Sequence, residues 1–191
     1  ILVYKANTVP VGADQLPHLE LTREIARRFN FLYQVDLFPE PKAELATAEV
    51  LPGTDGRKMS KSYNNEIAIN ASKEELKTKV RQMVTDPARI RRDDPGHPEV
   101  CVVYDYHKFY SPAELKEIGS NCRQGTIGCV DCKQILIEKL DNILEPIREK
   151  RAYFEQRPEW VKEILDNGRK RASEQAEKTM REVRSALNID F

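Results

Sequence analysis

The 191-residue chain has no surplus of either charge, no long apolar run and no low-complexity tract. Its 31 basic side chains are matched by 31 acidic ones. That balance excludes a wholesale cationic coat for nucleic acid and leaves room only for local basic faces. None of the hydrophobic stretches approaches the roughly 20 residues that a membrane-spanning helix needs, so no membrane partner is expected. The chain lacks an initiator methionine, and Ile1-Leu2-Val3-Tyr4 is not built like a secretion leader. It reads instead as the inside of a buried strand. Glycine is sparse at 8 residues, and a composition 40% hydrophobic and 32% charged excludes collagen-like and disordered classes. By length the chain is one domain or one and a half.

What is present falls into two textures. Ile1–Lys5 is a short strand candidate, and Val9–Gly12 a loop. Asp14 is placed to cap a helix running to about Phe29, with Leu16, Leu19, Ile25 and Ala26 facing inward. Phe31–Phe38 alternates enough for a strand, and Leu51–Asn65 reads as a loop in which Gly53 and Gly56 supply backbone freedom. Beyond Asn70 the pattern is helical. Ser72-x-x-Glu75 is a capping box, and Ser111-Pro112-Ala113-Glu114 repeats its form. Ile135, Leu136, Leu140, Ile143, Leu144 and Ile147 recur at helical spacing in a long helix that Pro146 should kink. Pro158 opens another helix, and the stretch after Gly168 is helical to about Leu187. The boundary therefore falls near residue 71, between a mixed segment 1–71 and a helical segment 72–191 whose last helix is free to return to the first.

Two groups of residues carry chemistry. Lys58-Met59-Ser60-Lys61-Ser62 places two lysines three apart, separated by small residues, in a loop. Such lysines can close over a polyphosphate and stabilise the charge that develops on a leaving pyrophosphate. A solvated basic loop is the plainer reading of any lysine-rich pentamer. The four cysteines, Cys101, Cys122, Cys129 and Cys132, follow the spacing C-x20-C-x6-C-x2-C. In an intracellular protein that pattern favours a metal over disulfides, and both zinc and an iron–sulfur cluster accept four thiolates. Arg89, Arg91 and Arg92 stand in a turn before the cysteines, either as phosphate contacts or as a solvated face. Tyr104, Tyr106, His107, Phe109 and Tyr110 can stack unpaired bases or form core.

The pentamer resembles, without substitution, the second signature of the class I aminoacyl-tRNA synthetases. Val9-Pro10-Val11-Gly12-Ala13-Asp14-Gln15, with His18-Leu19-Glu20-Leu21-Thr22-Arg23 behind it, is similar to the tryptophanyl branch. So are Asp55-Gly56-Arg57 and Ser62-Tyr63-Asn64-Asn65. The resemblance implies an α/β fold: the C-terminal half of a parallel-sheet, Rossmann-like nucleotide-binding domain, followed by an all-helical anticodon-binding domain. It implies ATP with Mg²⁺, L-tryptophan and tRNA(Trp) as ligands, a homodimer at full length, and a cytoplasmic location.

Residue by residue, Lys58 and Lys61 would contact the ATP phosphates, Lys61 bearing most on the transition state. Met59, Ser60 and Ser62 would lie along the nucleotide. Gly12 would permit its close approach, and Asp14 would face the ribose or simply cap the helix. Val9 and Val11 would line the indole pocket, with Gln15 at the polar end of the amino acid. His18 reads as an ordinary surface or interface histidine. The cysteine spacing resembles the bacterial subset that carries a [4Fe–4S] cluster in the anticodon domain, with zinc as the alternative. One departure is large. The first class I signature needs two near-adjacent histidines, and His18, His97 and His107 are not so spaced, so the chain is expected to be inactive by itself. A tyrosyl enzyme and a non-catalytic tRNA-binding metal module are the competing readings.

Overall fold

The computed structural model describes residues 1–45 and 51–189. In chain order its regular elements are β1 (Thr8–Val11), α1 (Leu16–Tyr33), β2 (Lys42–Leu45), α2 (Lys73–Gln82), α3 (Val102–Tyr110), α4 (Leu115–Arg123), α5 (Cys129–Glu155) and α6 (Pro158–Leu187). The chain divides into two compact units, Ile1–Ala48 with Pro158–Phe191, and Glu49–Arg157. The protein is α/β, with a parallel strand pair and many helices. The change of texture at residue 71 falls inside the second unit, and α6 belongs to the first.

In the first unit, β1 and β2 pair in parallel, with Thr8 opposite Lys42 and Val11 opposite Leu45. Parallel neighbours need a crossover, and α1 supplies it. That helix buries Leu19 and Ala26, two turns apart on one face, whereas Ile25 is 48% exposed and does not face inward as its spacing suggests. Val9 and Val11 lie on β1, not in a loop.

Three more local expectations give way. Ile1–Lys5 is no strand: Leu2–Tyr4 form one 3₁₀ turn, closed by Lys5 in the left-handed region at φ 50°. Asp14 sits inside a 3₁₀ turn, Ala13–Gln15, and Gln15 takes the position before α1. Phe31–Phe38 is not extended, because α1 continues to Tyr33 and Asn30 then organises the chain leaving it. Its amide donates to Phe38 O at 2.8 Å and accepts from the Leu37 and Phe38 N–H groups at 3.1 Å. Phe38 packs edge-on to Phe29, ring centres 5.1 Å apart, so the aromatic alternation serves a folded-back turn.

The second unit is built on one apolar core: Leu76, Val80 and Met83 from the α2 region, Val102, Val103 and Tyr106 of α3, and Leu136, Ile137, Leu140 and Leu144 of α5. Leu51, Met59 and Ile67 pack against it from the loop side, and Cys101 and Cys132 from the cysteine side. Ser72 opens α2 with a complete capping box, its hydroxyl accepting from Glu75 N at 3.2 Å while Glu75 Oε2 accepts from Ser72 N at 2.7 Å. The Ser111 pattern makes no such box. Ser111 is buried, its hydroxyl bonds His107 Nδ1 at 2.9 Å, and α4 starts four residues on. The helix carrying Pro146 runs unbroken from Cys129 to Glu155, and α6 runs through Gly168 without a break. Tyr106 and His107 are core residues, and the Tyr106 hydroxyl reaches Pro52 O at 2.9 Å. Among the described residues no helix is long and apolar enough to cross a membrane.

Candidate functional site

The residues singled out above group into three places. Val9, Val11, Gly12, Asp14 and Gln15 belong to the first unit. The lysine loop and the cysteines belong to the second.

At the end of β1, Val9 and Val11 are half-buried while Gly12, Asp14 and Gln15 are exposed. Gly12 N-caps the Ala13–Gln15 turn, and Gln15 N donates back to Gly12 O at 3.0 Å. Gln15 Nε2 holds Asp14 Oδ2 at 3.0 Å. A Cβ at position 12 would stand 2.7 Å from Asp14 Oδ1, so a side chain there would displace the carboxylate.

The lysine loop is organised by a residue that sequence reasoning did not single out as functional. Asn65 is 2% exposed and reaches both arms of the loop. Its Oδ1 accepts from Ser60 N at 2.8 Å, and its Nδ2 donates to Asp55 Oδ1 at 2.8 Å and Lys58 O at 3.2 Å. Its backbone carbonyl accepts from Thr54 N at 2.7 Å. This packing leaves no room at Gly53, where a Cβ would lie 2.2 Å from Asn65 Nδ2. Gly56 makes the tip turn at φ 81°. The Asn65 amide, and then Arg57, hold the Asp55 carboxyl down at about 2. Arg57 in turn lies over the Tyr63 ring at 4.4 Å.

The signature itself hangs on this frame. Ser60 caps a 3₁₀ turn formed by Lys61–Tyr63, its hydroxyl accepting from Ser62 N at 3.3 Å. Asn64 closes the turn at φ 50° and is held by Lys79, which reaches Asn64 Oδ1 at 2.7 Å. Met59 is half-buried against the core of the unit. Lys58, Lys61 and Ser62 are exposed. The backbone is thus braced from within, chiefly by Asn65 and Ser60, while Lys58 and Lys61 are exposed. A signal for Asn65 existed in the Asn64-Asn65 pair, since the first can adopt the left-handed turn and the second then points inward.

None of the four cysteines is in a disulfide, and each is partly buried. Cys101 immediately precedes α3, Cys122 lies in the last turn of α4, and Cys129 and Cys132 occupy the first turns of α5. Burial pushes the Cys101 thiol up, opposed by the backbone N–H groups of Tyr104, Val103 and Asp86. Cys132 is pushed up to about 12, by burial first and then by Cys101, Cys122 and Cys129. Arg89 donates from Nη1 to Cys122 Sγ at 3.8 Å and Cys129 Sγ at 3.9 Å, and from Nη2 to Ile127 O at 2.6 Å and to Arg92 O. Its Nε is buried with no partner. A Cβ on Gly96 would lie 2.6 Å from Cys122 Sγ.

Buried His107 stands beside Cys132, its Nε2 at 3.2 Å from Cys132 O and 3.4 Å from Sγ, and burial lowers its pKa. Among the described residues no three or more His, Cys, Asp or Glu side chains stand close enough together to hold a single metal ion as they are placed. Of the three arginines expected at phosphates, Arg89 turns inward to the sulfurs. Arg91 and Arg92 are exposed, with Arg92 beside Asp131 at 3.2 Å.

A serine-capped loop that carries two exposed lysines thus stands in an α/β chain. The chain belongs to the family described as tRNA synthetases class I (W and Y), whose pattern matches residues 1–145. It is 52% identical over 191 residues to the tryptophan–tRNA ligase of Aquifex aeolicus and 51% identical over 193 residues to that of Thermotoga maritima. These matches cover 99% and 100% of the chain but 48% and 58% of the relatives, so it spans about half the length of each. Among solved structures it resembles the tryptophanyl-tRNA synthetase of Campylobacter jejuni complexed with ADP and tryptophan. There the TM-score is 0.81 at 33% identity, covering 98% of this chain and 59% of that one.

Proposed function

We propose that this chain is the later part of a tryptophan–tRNA ligase, which activates L-tryptophan with ATP and transfers it to tRNA(Trp). The observation that carries the reading is the intact signature loop, in which Lys58 and Lys61 are exposed while Asn65 and Ser60 brace the backbone beneath them. In the reaction, a tryptophan carboxylate oxygen attacks the α-phosphorus of ATP, and the bond to pyrophosphate breaks. Negative charge then grows on the leaving group, where Lys61 and Lys58 stabilise it, with Mg²⁺ sharing that task. Met59, Ser60 and Ser62 shape the nucleotide side of the loop. Gly12 and Asp14 serve the ATP, while Val9, Val11 and Gln15 serve the amino acid. The mixed segment 1–71 supplies these groups, and the helical part from 72 reads the anticodon, with Arg91 and Arg92 contacting phosphates. Full-length protein is proposed to be a cytoplasmic homodimer, and this chain alone to be inactive, because its three histidines cannot form the first signature.

We further propose that Cys101, Cys122, Cys129 and Cys132 hold a [4Fe–4S] cluster. Three features support a thiolate-bound group there: the Arg89 fork reaching both Cys122 and Cys129, the buried unpaired Arg89 Nε beside them, and the bare Gly96 against Cys122 Sγ. Such a cluster would tie the chain before α3 to the starts of α4's exit loop and α5, fixing the surface between them. Tryptophan-dependent pyrophosphate exchange by full-length protein tests the catalytic reading. Exchange with tyrosine but not tryptophan would overturn it. Iron, sulfide and zinc analysis of anaerobically purified protein tests the cluster, and one zinc per chain without iron would replace it.

A further inference from the structure

We infer that Arg89 is a positioning residue for the cysteine quartet, its guanidinium balancing the sulfur charge, and not a contact for tRNA phosphate. The inference rests on the four-thiolate reading above. Four thiolates outweigh the positive charge of a zinc ion or of an oxidised four-iron cluster, so the loaded site carries surplus negative charge. Half-buried negative charge is costly unless cations or N–H groups face it. The fold provides both. The N-terminal ends of α3 and α5 present Cys101 and Cys129 where unpaired N–H groups and the helix dipole favour an anion.

Among the described residues Arg89 is the cation whose side chain reaches the sulfurs, touching one on α4 and one on α5. Its neighbours in charge are engaged elsewhere. Lys133 donates to Arg81 O at 2.7 Å and Met83 O at 2.8 Å, and Arg92 pairs with Asp131. Ile127 O and Arg92 O grip the other end of the Arg89 fork, so the guanidinium cannot swing out toward a phosphate. Its Nε–H, buried and without a partner, is one more donor available to a sulfur-rich group. A planar fork suits this task better than an ammonium, because it can hold two sulfurs and two carbonyls at once.

The test uses the chain as it stands, purified anaerobically or loaded with iron and sulfide, as parent, Arg89→Met, Arg89→Lys and Arg92→Gln. Iron retention against a chelator and the midpoint potential are the readouts. Arg89→Met is expected to lose iron at least tenfold faster and to shift the potential to more negative values, since the reduced site is the more anionic. Arg89→Lys should keep the potential near the parent's yet lose iron several-fold faster, and Arg92→Gln should match the parent in both. Arg89→Met with unchanged retention and potential overturns the inference. Should that variant not fold, Arg89→Lys decides, and retention equal to the parent's overturns it. A parent chain that takes up neither iron nor zinc overturns the four-thiolate reading itself, a result distinct from either failure at Arg89.

Discussion

The lysine loop and the cysteine quartet sit on the same apolar core, yet they treat positive charge in opposite ways. In the loop, the Asn65 amide and the Ser60 hydroxyl hold the backbone, with Asp55 and Lys79 engaged on Asn65 and Asn64, while Lys58 and Lys61 face water. Around the cysteines a guanidinium does the bracing and faces inward, with carbonyls and sulfurs taking four of its contacts. The difference follows from what each place has to hold. A ligand that arrives and leaves within a catalytic cycle is best met by cations with no internal partner to give up. A group that stays with the fold can have its counter-charge built in, because the desolvation cost of that cation is offset once, during folding.

Substitutions can break this comparison at its base or sharpen one side of it. The largest effect is expected from Leu136→Ala, a fully buried residue of the core that both places pack against. It should cost about 2–5 kcal/mol in thermal or denaturant unfolding of the chain, and a loss well below that range would mean the core is not shared as described. Next comes Lys61→Ala in full-length protein. Pyrophosphate exchange should fall on the order of 10²–10³-fold, the range for removing a donor to developing charge, while stability stays within about 0.5 kcal/mol. A stability loss that matched the activity loss would make the lysine a brace after all.

Asn65→Ala should do the reverse, costing about 1–3 kcal/mol by stranding Ser60 N and its neighbours without partners. Amide exchange at Ser60 would accelerate in the variant, and exchange at the parent's rate would remove Asn65 from the frame. The loop also has an acid limb. Asp55 titrates at about 2 when folded against its usual 3.8, so its contribution is present above the unfolded value and disappears as pH falls from about 4 through 2. A carboxyl titration by NMR with its midpoint near the usual value would contradict the Asn65–Asp55 contact. The smallest effect belongs to Arg92→Gln, which should leave stability within about 0.5 kcal/mol. In full-length protein it should lower the salt slope of tRNA binding by about 1.

Legibility in the sequence tracked how local each determinant is. The Ser72 box, the helix at α5 and the start of α6 at Pro158 all depend on neighbours within a turn or two, and all are found as read, although Ile143 and Ile147 of the α5 spacing stay exposed. The signature loop was visible as a pentamer, but the reach of its keystone was not, because Asn65 works through contacts up to eleven residues away. The N-terminal misreadings share a cause. Ile1–Lys5 and Phe31–Phe38 have strand-like composition, yet a left-handed Lys5 and the side chain of Asn30 turn them into compact corners. Ser111 had the form of a helix cap, but a buried imidazole at His107 competed for its hydroxyl. Arg89 looked like its exposed neighbours Arg91 and Arg92, since nothing in a run of basic residues says which one turns inward.

Met59, in the middle of the lysine signature, and Cys101 and Cys132, half of the quartet, press on one set of side chains. Close-packed interiors pass small displacements along, so these two stretches, more than 40 positions apart in the chain, cannot drift independently. A change at Val102, Val103 or Leu136 chosen to loosen one seat will unsettle the other. Selection, and any laboratory library built on this scaffold, therefore meets them as a single locus.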